Sequence, residues 1–499
     1  MSDTVLGIDL GTSSVKVVLT DRVGKVLRAS THEYPVLRPH PGWAETEPEA
    51  WWSAIVAGVH AVLEGLDPRQ VRGIGLSGQM HGVVLVDGRG EVVRPAVLWA
   101  DARADLATYD RLPAATRARL ANPVSPGTAG PILEWLCLRE PGSIDRARFA
   151  LCPKDWVRGR LTGSWATEPS DASATLLYDV ISQDWSAEVL AALGVPTRLL
   201  PPILAHSGVP AGRLRVEVAG QLGMPADLPV AAGAGDTPAA ALGSGLLNPG
   251  QAQLTIGTGV QIVAPVEAPS SSHLQPATSI VTHLYRDATP HGWYAMAAGL
   301  TGGTTLAWVT RMLAADWQAL YAAASHRPQE DDPLFLPHLM GERTPYLDTA
   351  MRGAWLGLDA RHDREALLYS ALEGVAFAVA DGLDAMPRSA VANGSLWLAG
   401  GGTTSEPWRA LLADVLKVEL RAVEVPGASA RGAALLGAIA AGLIEQDDLT
   451  TLTRPSTALA ASPTPNPVLD ARRERYRTAV AMLRHGISSQ GATHASRTS

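Results

Sequence analysis

The stretch Leu6-Gly7-Ile8-Asp9-Leu10-Gly11-Thr12-Ser13-Ser14-Val15-Lys16-Val17-Val18-Leu19 decides how this chain is read. Two apolar runs rich in β-branched residues flank a Gly-Thr-Ser-Ser turn, the pattern of a tight β-hairpin. Asp9 closes the first run, beside the turn. Glycine and small hydroxyl residues let backbone N–H groups approach and cradle a phosphate. A carboxylate at such a turn can hold the divalent ion that travels with a nucleotide. The hairpin points to phosphoryl transfer; an ordinary turn with a solvated aspartate is the alternative.

A partial echo lies far downstream. Leu254-Thr255-Ile256-Gly257-Thr258-Gly259-Val260-Gln261-Ile262-Val263 repeats the order strand, Gly-Thr turn, strand. A separation of about half the chain predicts a duplicated domain rather than a short-period solenoid. The second copy lacks the aspartate. This asymmetry assigns the metal and reacting phosphate to the first turn and the rest of the nucleotide to the second.

A chain of 499 residues is too long for one hydrophobic core and predicts two domains. Apolar content of 46% and a mean hydropathy near zero describe an ordinary globular protein. A net charge of −8, with no Lys/Arg cluster against it, argues against a nucleic-acid partner. Pro229 to Leu247 is apolar but carries Asp236 and several glycines, so it does not read as a membrane span. Cys137 and Cys152 fit no metal spacing and are too few for a disulfide framework, which predicts buried free thiols. The start, Met1-Ser2-Asp3-Thr4, runs directly into a strand with no secretory pattern, predicting a cytoplasmic chain.

Strands alternating with helices predict α/β domains. Lys25-Val26-Leu27 opens a third strand of the first sheet, and Gly73-Ile74-Gly75-Leu76-Ser77 is a short buried strand. Glu47-Pro48-Glu49-Ala50-Trp51-Trp52 starts a helix, with proline in the first turn and glutamates at the positive end of the dipole. Its apolar positions Trp52, Ile55, Val56, Val59 and Val62 share one face. The expected domains are residues 1–245 and 246–487, followed by a polar, disordered tail over 488–499. Gly432 to Ala438 reads as a closely packing helix that closes the second domain. A last helix near Asp470 to His485 carries Arg472, Arg473, Arg475 and Arg477 as a solvated basic face.

Further segments carry chemistry. Val230-Ala231-Ala232-Gly233-Ala234-Gly235-Asp236-Thr237 ends an apolar strand with an aspartate behind two glycines, which leave room for a ligand to reach the carboxylate. Asp236 reads as a general base toward a hydroxyl, with helix N-capping as the alternative. Met80 and His81, between Gly78 and Gly82, suggest a lined pocket: imidazole bonds hydroxyls, and methionine packs on C–H edges. Leu398 to Glu406, with Gly400, Gly401 and Gly402, is a strand-to-helix loop against whose bare backbone a ring or phosphate can lie. Ala298 to Thr305, with Gly302 and Gly303, has the same character. Neither loop matches the P-loop or dinucleotide patterns.

Taken together, these segments resemble the FGGY carbohydrate kinases of the actin/Hsp70/sugar-kinase superfamily, from about residue 5 to about 480. The matching motifs are Gly7 to Ser13, Arg38-Pro39-His40-Pro41-Gly42-Trp43, Gly78-Gln79-Met80-His81-Gly82, Pro153-Lys154-Asp155, Gly341-Glu342-Arg343-Thr344-Pro345 and Leu372-Glu373-Gly374. The Gln-Met-His-Gly element points to the xylulose-phosphorylating branch. The resemblance implies an α/β fold of two duplicated actin-like (ribonuclease H-like) domains with mixed sheets flanking a cleft, and the transfer of phosphate from ATP to D-xylulose. It implies Asp236 as catalytic base, Asp9 supporting Mg²⁺ and the reacting phosphate, and both as metal-facing carboxylates. Gln79, Met80 and His81 would meet the sugar. Gly11, Thr12, Ser13, Gly257, Thr258, Gly303, Gly401 and Gly402 would hold the nucleotide, and the subunits would pair as a homodimer. The chain departs from the family pattern at Thr237, where asparagine is usual, and at Ile132, where a signature carries lysine. A kinase for L-ribulose, glycerol or gluconate stays open, as does a non-catalytic nucleotide-binding regulator on the same scaffold.

Overall fold

The first hairpin forms as its apolar alternation requires. In the computed structural model, which describes residues 3–272, 274–276, 280–400 and 404–495, Thr4–Leu10 pairs antiparallel with Ser14–Asp21, Asp9 opposite Lys16. Val26–Glu33 adds the third strand. On its other side Thr4–Leu10 runs parallel to Val71–Gly78, with Asp9 opposite Ser77. Pro229–Ala231 and the short Ala234–Gly235 follow, also parallel to Val71–Gly78. Helix Pro48–Leu63, opened by the proline at its first turn, buries Trp51, Trp52, Ile55, Val59 and Val62 against Val15, Val17 and Leu19.

The second sheet repeats this plan. Gln253–Ile256 and Val260–Val266 form its hairpin, Trp293–Gly299 is its antiparallel third strand, and Ser395–Ala399 runs parallel to Gln253–Ile256. Glu419–Val423 continues the parallel order, and antiparallel edge strands complete a mixed sheet of seven, the size of the first. Two mixed sheets of matching order are what the duplicated hairpin predicts. The segment between Val71–Gly78 and Pro210–Arg213 forms its own cluster around Val83, Leu85, Tyr109, Ile132 and Leu136. Ile132, at the position of the family lysine, is fully buried there.

Several expectations need correction. The small-residue helix, Ala428–Ala440, does not simply close the second half. It lies on the first sheet, and its backbone comes so near that a Cβ on Gly75 would sit 1.7 Å from the Ala433 carbonyl oxygen and one on Gly7 2.3 Å from that of Ala430. It also packs on helix Asp236–Ser244, where Gly432 and Gly243 make the contact. The basic run near the C-terminus is not wholly solvated. Arg472 is fully buried, donating to both carboxylate oxygens of Glu373 at 2.6 and 2.5 Å and to the carbonyls of Gln329, Asp332 and Pro333. A buried Glu373 on helix Arg364–Asp384 demands a cation, and Arg472 faces it. Arg473 and Arg477 pair with Asp384. The last helix spans Pro467–Ala495, into the stretch expected to lack order, since no proline stops it; residues 496–499 lie outside the described residues. Cys152 is buried, whereas Cys137 is only half-buried. Among the described residues one helix, Arg364–Asp384, is long and apolar enough to cross a membrane, and it is packed within the second core.

The close contact makes a prediction. Gly75→Ala must push the helix backbone away and costs about 1–3 kcal/mol or more. Gly88→Ala, which meets open space, should leave the urea midpoint nearly unchanged.

Candidate active site

Parallel pairing carries Asp9, Ser77 and Gly235 to the same end of the first sheet, because Asp9 faces Ser77 and Gly235 faces Gly78. Carboxyl ends of parallel strands are where open α/β sheets bind ligands. Ser77 Oγ donates to Asp9 Oδ1 at 2.7 Å. Asp236 begins helix Asp236–Ser244 and accepts at Oδ1 from its neighbour's backbone N–H (2.6 Å) and from the Thr237 hydroxyl (3.3 Å). Thr237, at the family's asparagine position, also receives Gln261 Nε2 at 3.4 Å.

Electrostatics set these two carboxylates apart from ordinary ones. Burial raises the Asp9 carboxyl, against the opposing pull of the Ser77 hydroxyl and Lys16. Burial also pushes Asp236 up to about 7, and the negative charge of Asp9 adds to it. The charge of Asp9 thus adds to the cost of ionising Asp236.

The turn after Asp9 is braced from behind. Gly11 O accepts from Tyr34 Oη and, at 3.0 Å, from Gln79 Nε2. Ser13 O accepts from the Tyr34 backbone N–H at 3.0 Å. Thr12 Oγ1 accepts from Trp99 Nε1 at 2.9 Å. Gln79 is buried, so its amide side chain shapes the turn; sequence reasoning grouped it with the sugar contacts.

Met80 is buried beside Gly235, whose Cβ, if present, would lie 2.7 Å from Met80 Cγ. His81 has a φ of 72°, a left-handed conformation uncommon for non-glycine residues. Its Nδ1 lies 2.8 Å from the Ala174 carbonyl oxygen. Burial and the charge of Arg343 hold the ring neutral, its pKa lowered to about 4. A neutral ring that donates Nδ1–H leaves Nε2 as an acceptor. The second half of the chain reaches this pocket too. Tyr285 lies 6.0 Å from the His81 ring, Tyr294 packs on Met80, and Arg343 stands 5.9 Å over the Trp99 ring.

In the second half the Gly257-Thr258 turn meets the start of helix Gly303–Met312. Gly303 N–H donates to Gly257 O at 2.8 Å and Thr304 N–H to Thr258 O at 3.0 Å. A Cβ on Gly303 would sit 2.5 Å from Gly257 O, so the approach requires glycine. Glu342 pins the neighbouring loop through Leu300 N–H (2.7 Å) and Thr301 Oγ (2.6 Å). Gly257, Thr258 and Gly303 open into a cavity of about 580 Å³, walled by Trp317 and Tyr321, whose rings stack at 5.7 Å. Sequence reasoning missed this aromatic pair; its spacing of four residues on one helix face was the available signal. A cavity of about 650 Å³ lined by Ala118, Arg119 and Leu274 holds none of these groups. Gly401 and Gly402 lie outside the described residues.

Comparison with known proteins fits this geometry. Residues 4–243 match the N-terminal domain of the FGGY family of carbohydrate kinases and residues 252–441 its C-terminal domain. The chain belongs to the FGGY family of carbohydrate kinases. Within this family it is 37% identical to a xylulose kinase of Escherichia coli K12 over 82% of this chain and 84% of that one. It is 30% identical to a glycerol kinase of a Janthinobacterium species, covering 88% and 90%. A solved structure of a xylulose kinase from Rhodospirillum rubrum superposes with a TM-score of 0.86 at 27% identity, covering 96% of this chain and 99% of that one. The protein is a carbohydrate kinase built on two actin-like domains.

The raised Asp236 predicts a stability signature of this kinase. A carboxyl whose folded pKa lies near 7 and whose unfolded pKa lies near ~3.9 stabilises the fold fully below the lower value. That contribution is lost as pH rises through about 7. Asp236→Asn has no such loss, so its Tm advantage over wild type should be larger at pH 8 than at pH 5. An equal difference at both values would contradict the raised pKa.

Proposed function

We propose that this kinase transfers the γ-phosphate of ATP to D-xylulose, giving ADP and D-xylulose 5-phosphate, with Asp236 as general base. The observation that carries the reading is the Asp236 carboxyl, raised by burial and by the charge of Asp9, one residue after Gly235, which packs against Met80, the neighbour of His81. A base whose pKa lies near the working pH is well matched to accept a hydroxyl proton. Met80 supports the apolar C–H edges of the sugar and His81 Nε2 accepts from one of its hydroxyls. Similarity to xylulose kinases supports this acceptor; the glycerol kinase relative, with Thr237 in place of asparagine, favours another polyol as the second reading.

Gly11, Thr12 and Ser13 face the reacting phosphate, Gly257, Thr258 and Gly303 hold the rest of the nucleotide, and the Trp317–Tyr321 cavity takes the adenine. Gly401 and Gly402 extend that loop set on the resemblance alone. Hard carboxylate oxygens on Asp9 and Asp236, the charge of Asp9 felt at Asp236, are a donor set suited to Mg²⁺. When bound there, Mg²⁺ neutralises charge on the phosphate oxygens. The Cys152, Asp155 and Asp171 cluster is unsuited to a cation, because the Lys154 ammonium already lies 2.7 Å from Asp155 and 2.9 Å from Asp171.

The chain's own work is positioning. Asp236 takes the hydroxyl proton as the oxygen attacks, backbone N–H groups of the two turns meet the phosphate charge, and the two halves close to exclude water. The resemblance extends the reading to a cytoplasmic homodimer. Asp236→Ala should bind ATP and sugar by calorimetry yet turn over roughly 10²–10⁴-fold more slowly. Near-normal turnover in that variant would remove Asp236 from this role.

A further inference from the structure

The segment that delivers Asp236, Ala231-Ala232-Gly233-Ala234-Gly235, is made of alanine and glycine and offers no long side chain by which to be held. Gly233 has a φ of +83°, so the backbone turns there. Strand pairing with Val71–Gly78 and backbone bonds from Ala232 N–H to Val209 O and Gly233 N–H to Ser207 O hold it in part, and a group of fully buried charges holds it from the side. Lys154 and Arg158, on helix Pro153–Thr162, face Asp155, Glu168 and Asp171. All five side chains have no exposure. Burying so many charges is expensive, and an apolar cluster of the same volume is often as stable. A role beyond stability is therefore worth seeking.

Two bonds leave this group for the backbone before Asp236. Arg158 donates to the Ala232 carbonyl at 2.8 Å and to that of Ala166, while holding Asp155 at 2.7 Å. Ser170 Oγ donates to Glu168 Oε1 at 2.7 Å and accepts from the Gly235 N–H at 3.0 Å. Glu168 also takes the backbone N–H groups of Ser170 and Asp171 and the Ser207 hydroxyl. Lys154 lies 3.2 Å from Glu168 and balances its charge. Burial and the neighbouring carboxylates push the Asp171 carboxyl up to about 8, while the Lys154 ammonium 2.9 Å away opposes that shift.

We infer that Ser170 and Arg158 are positioning residues for Asp236, gripping the backbone on both sides of Gly233 so that the carboxylate points at the acceptor hydroxyl. Lys154 and Glu168 serve by fixing the Ser170 hydroxyl in its accepting orientation. The inference rests on the general-base reading of Asp236.

Ser170→Ala is the direct test, with Ser207→Ala as a matched control. Ser207 bonds the same carboxylate but makes no side-chain bond to the strand before Asp236. Misplacement of a reacting group on the order of 1 Å can cost 10²-fold. Ser170→Ala should lose roughly 10–100-fold in kcat while the KM for ATP stays within about twofold. Ser207→Ala should show a similar fall in Tm with little change in kcat. Arg158→Lys keeps the charge but cannot span both carbonyls, and should give the same kcat-against-KM split if Ser170→Ala does not fold. Wild-type kcat in Ser170→Ala or folded Arg158→Lys would overturn the inference, as would an equal kcat loss in Ser207→Ala. Asp236→Ala, run alongside, separates the two ideas. If it is inactive while Ser170→Ala is normal, only the positioning role fails; if it is active, the base assignment itself fails.

Discussion

Everything at the cleft depends on one close contact, the helix Ala428–Ala440 laid against bare backbone. Gly7 lies two residues before Asp9, and Gly75 lies two before Ser77, the hydrogen-bond partner of Asp9. The same helix touches helix Asp236–Ser244 through Gly432 and Gly243, where a Cβ on either would come within 1.9 Å of a carbonyl oxygen. A helix from the second half therefore fixes both carboxylates of the first half relative to one another. Side chains at those glycines would drive the elements apart, because close-packed interiors have no slack to absorb them.

That geometry has an electrostatic consequence. Burial is the main cause of the high pKa of Asp236, and the negative charge of Asp9 adds to it. A raised carboxyl of this kind costs stability above its pKa, the exchange expected where function needs a strained site. Tyr285, Tyr294 and Arg343 reach the Met80-His81 pocket from the second half. The site is consequently complete only when both halves are together.

Much of this was legible in the chain. The two hairpins, the third strand and the helix at Pro48 follow from period-two alternation and a first-turn proline, which are local signals. The Asp9 and Asp236 segments stood out because each joins an apolar strand, small glycine-rich backbone and a carboxylate, and the distant echo of the first hairpin outweighed the ordinary-turn reading. Partners distant in sequence were not legible. The small residues of 428–440 announced close packing without saying against which sheet. Arg472 sat in an ordinary basic run, and only its far partner Glu373 reveals that it is buried. The sequence did not show that the Gln79 amide nitrogen braces Gly11 O. The cluster around Lys154 is likewise drawn from separate segments, and only the fold brings Ser170 to Gly235.

The most direct test of the functional account is ADP release by the wild-type enzyme with Mg-ATP. It should be measured against D-xylulose, L-ribulose, L-xylulose, glycerol, D-gluconate and no acceptor. The account predicts a strong preference for D-xylulose over a low acceptor-free rate. Preference for another acceptor would contradict the reading of Met80 and His81, and a high rate with no stimulation by any acceptor would contradict transfer to a sugar altogether.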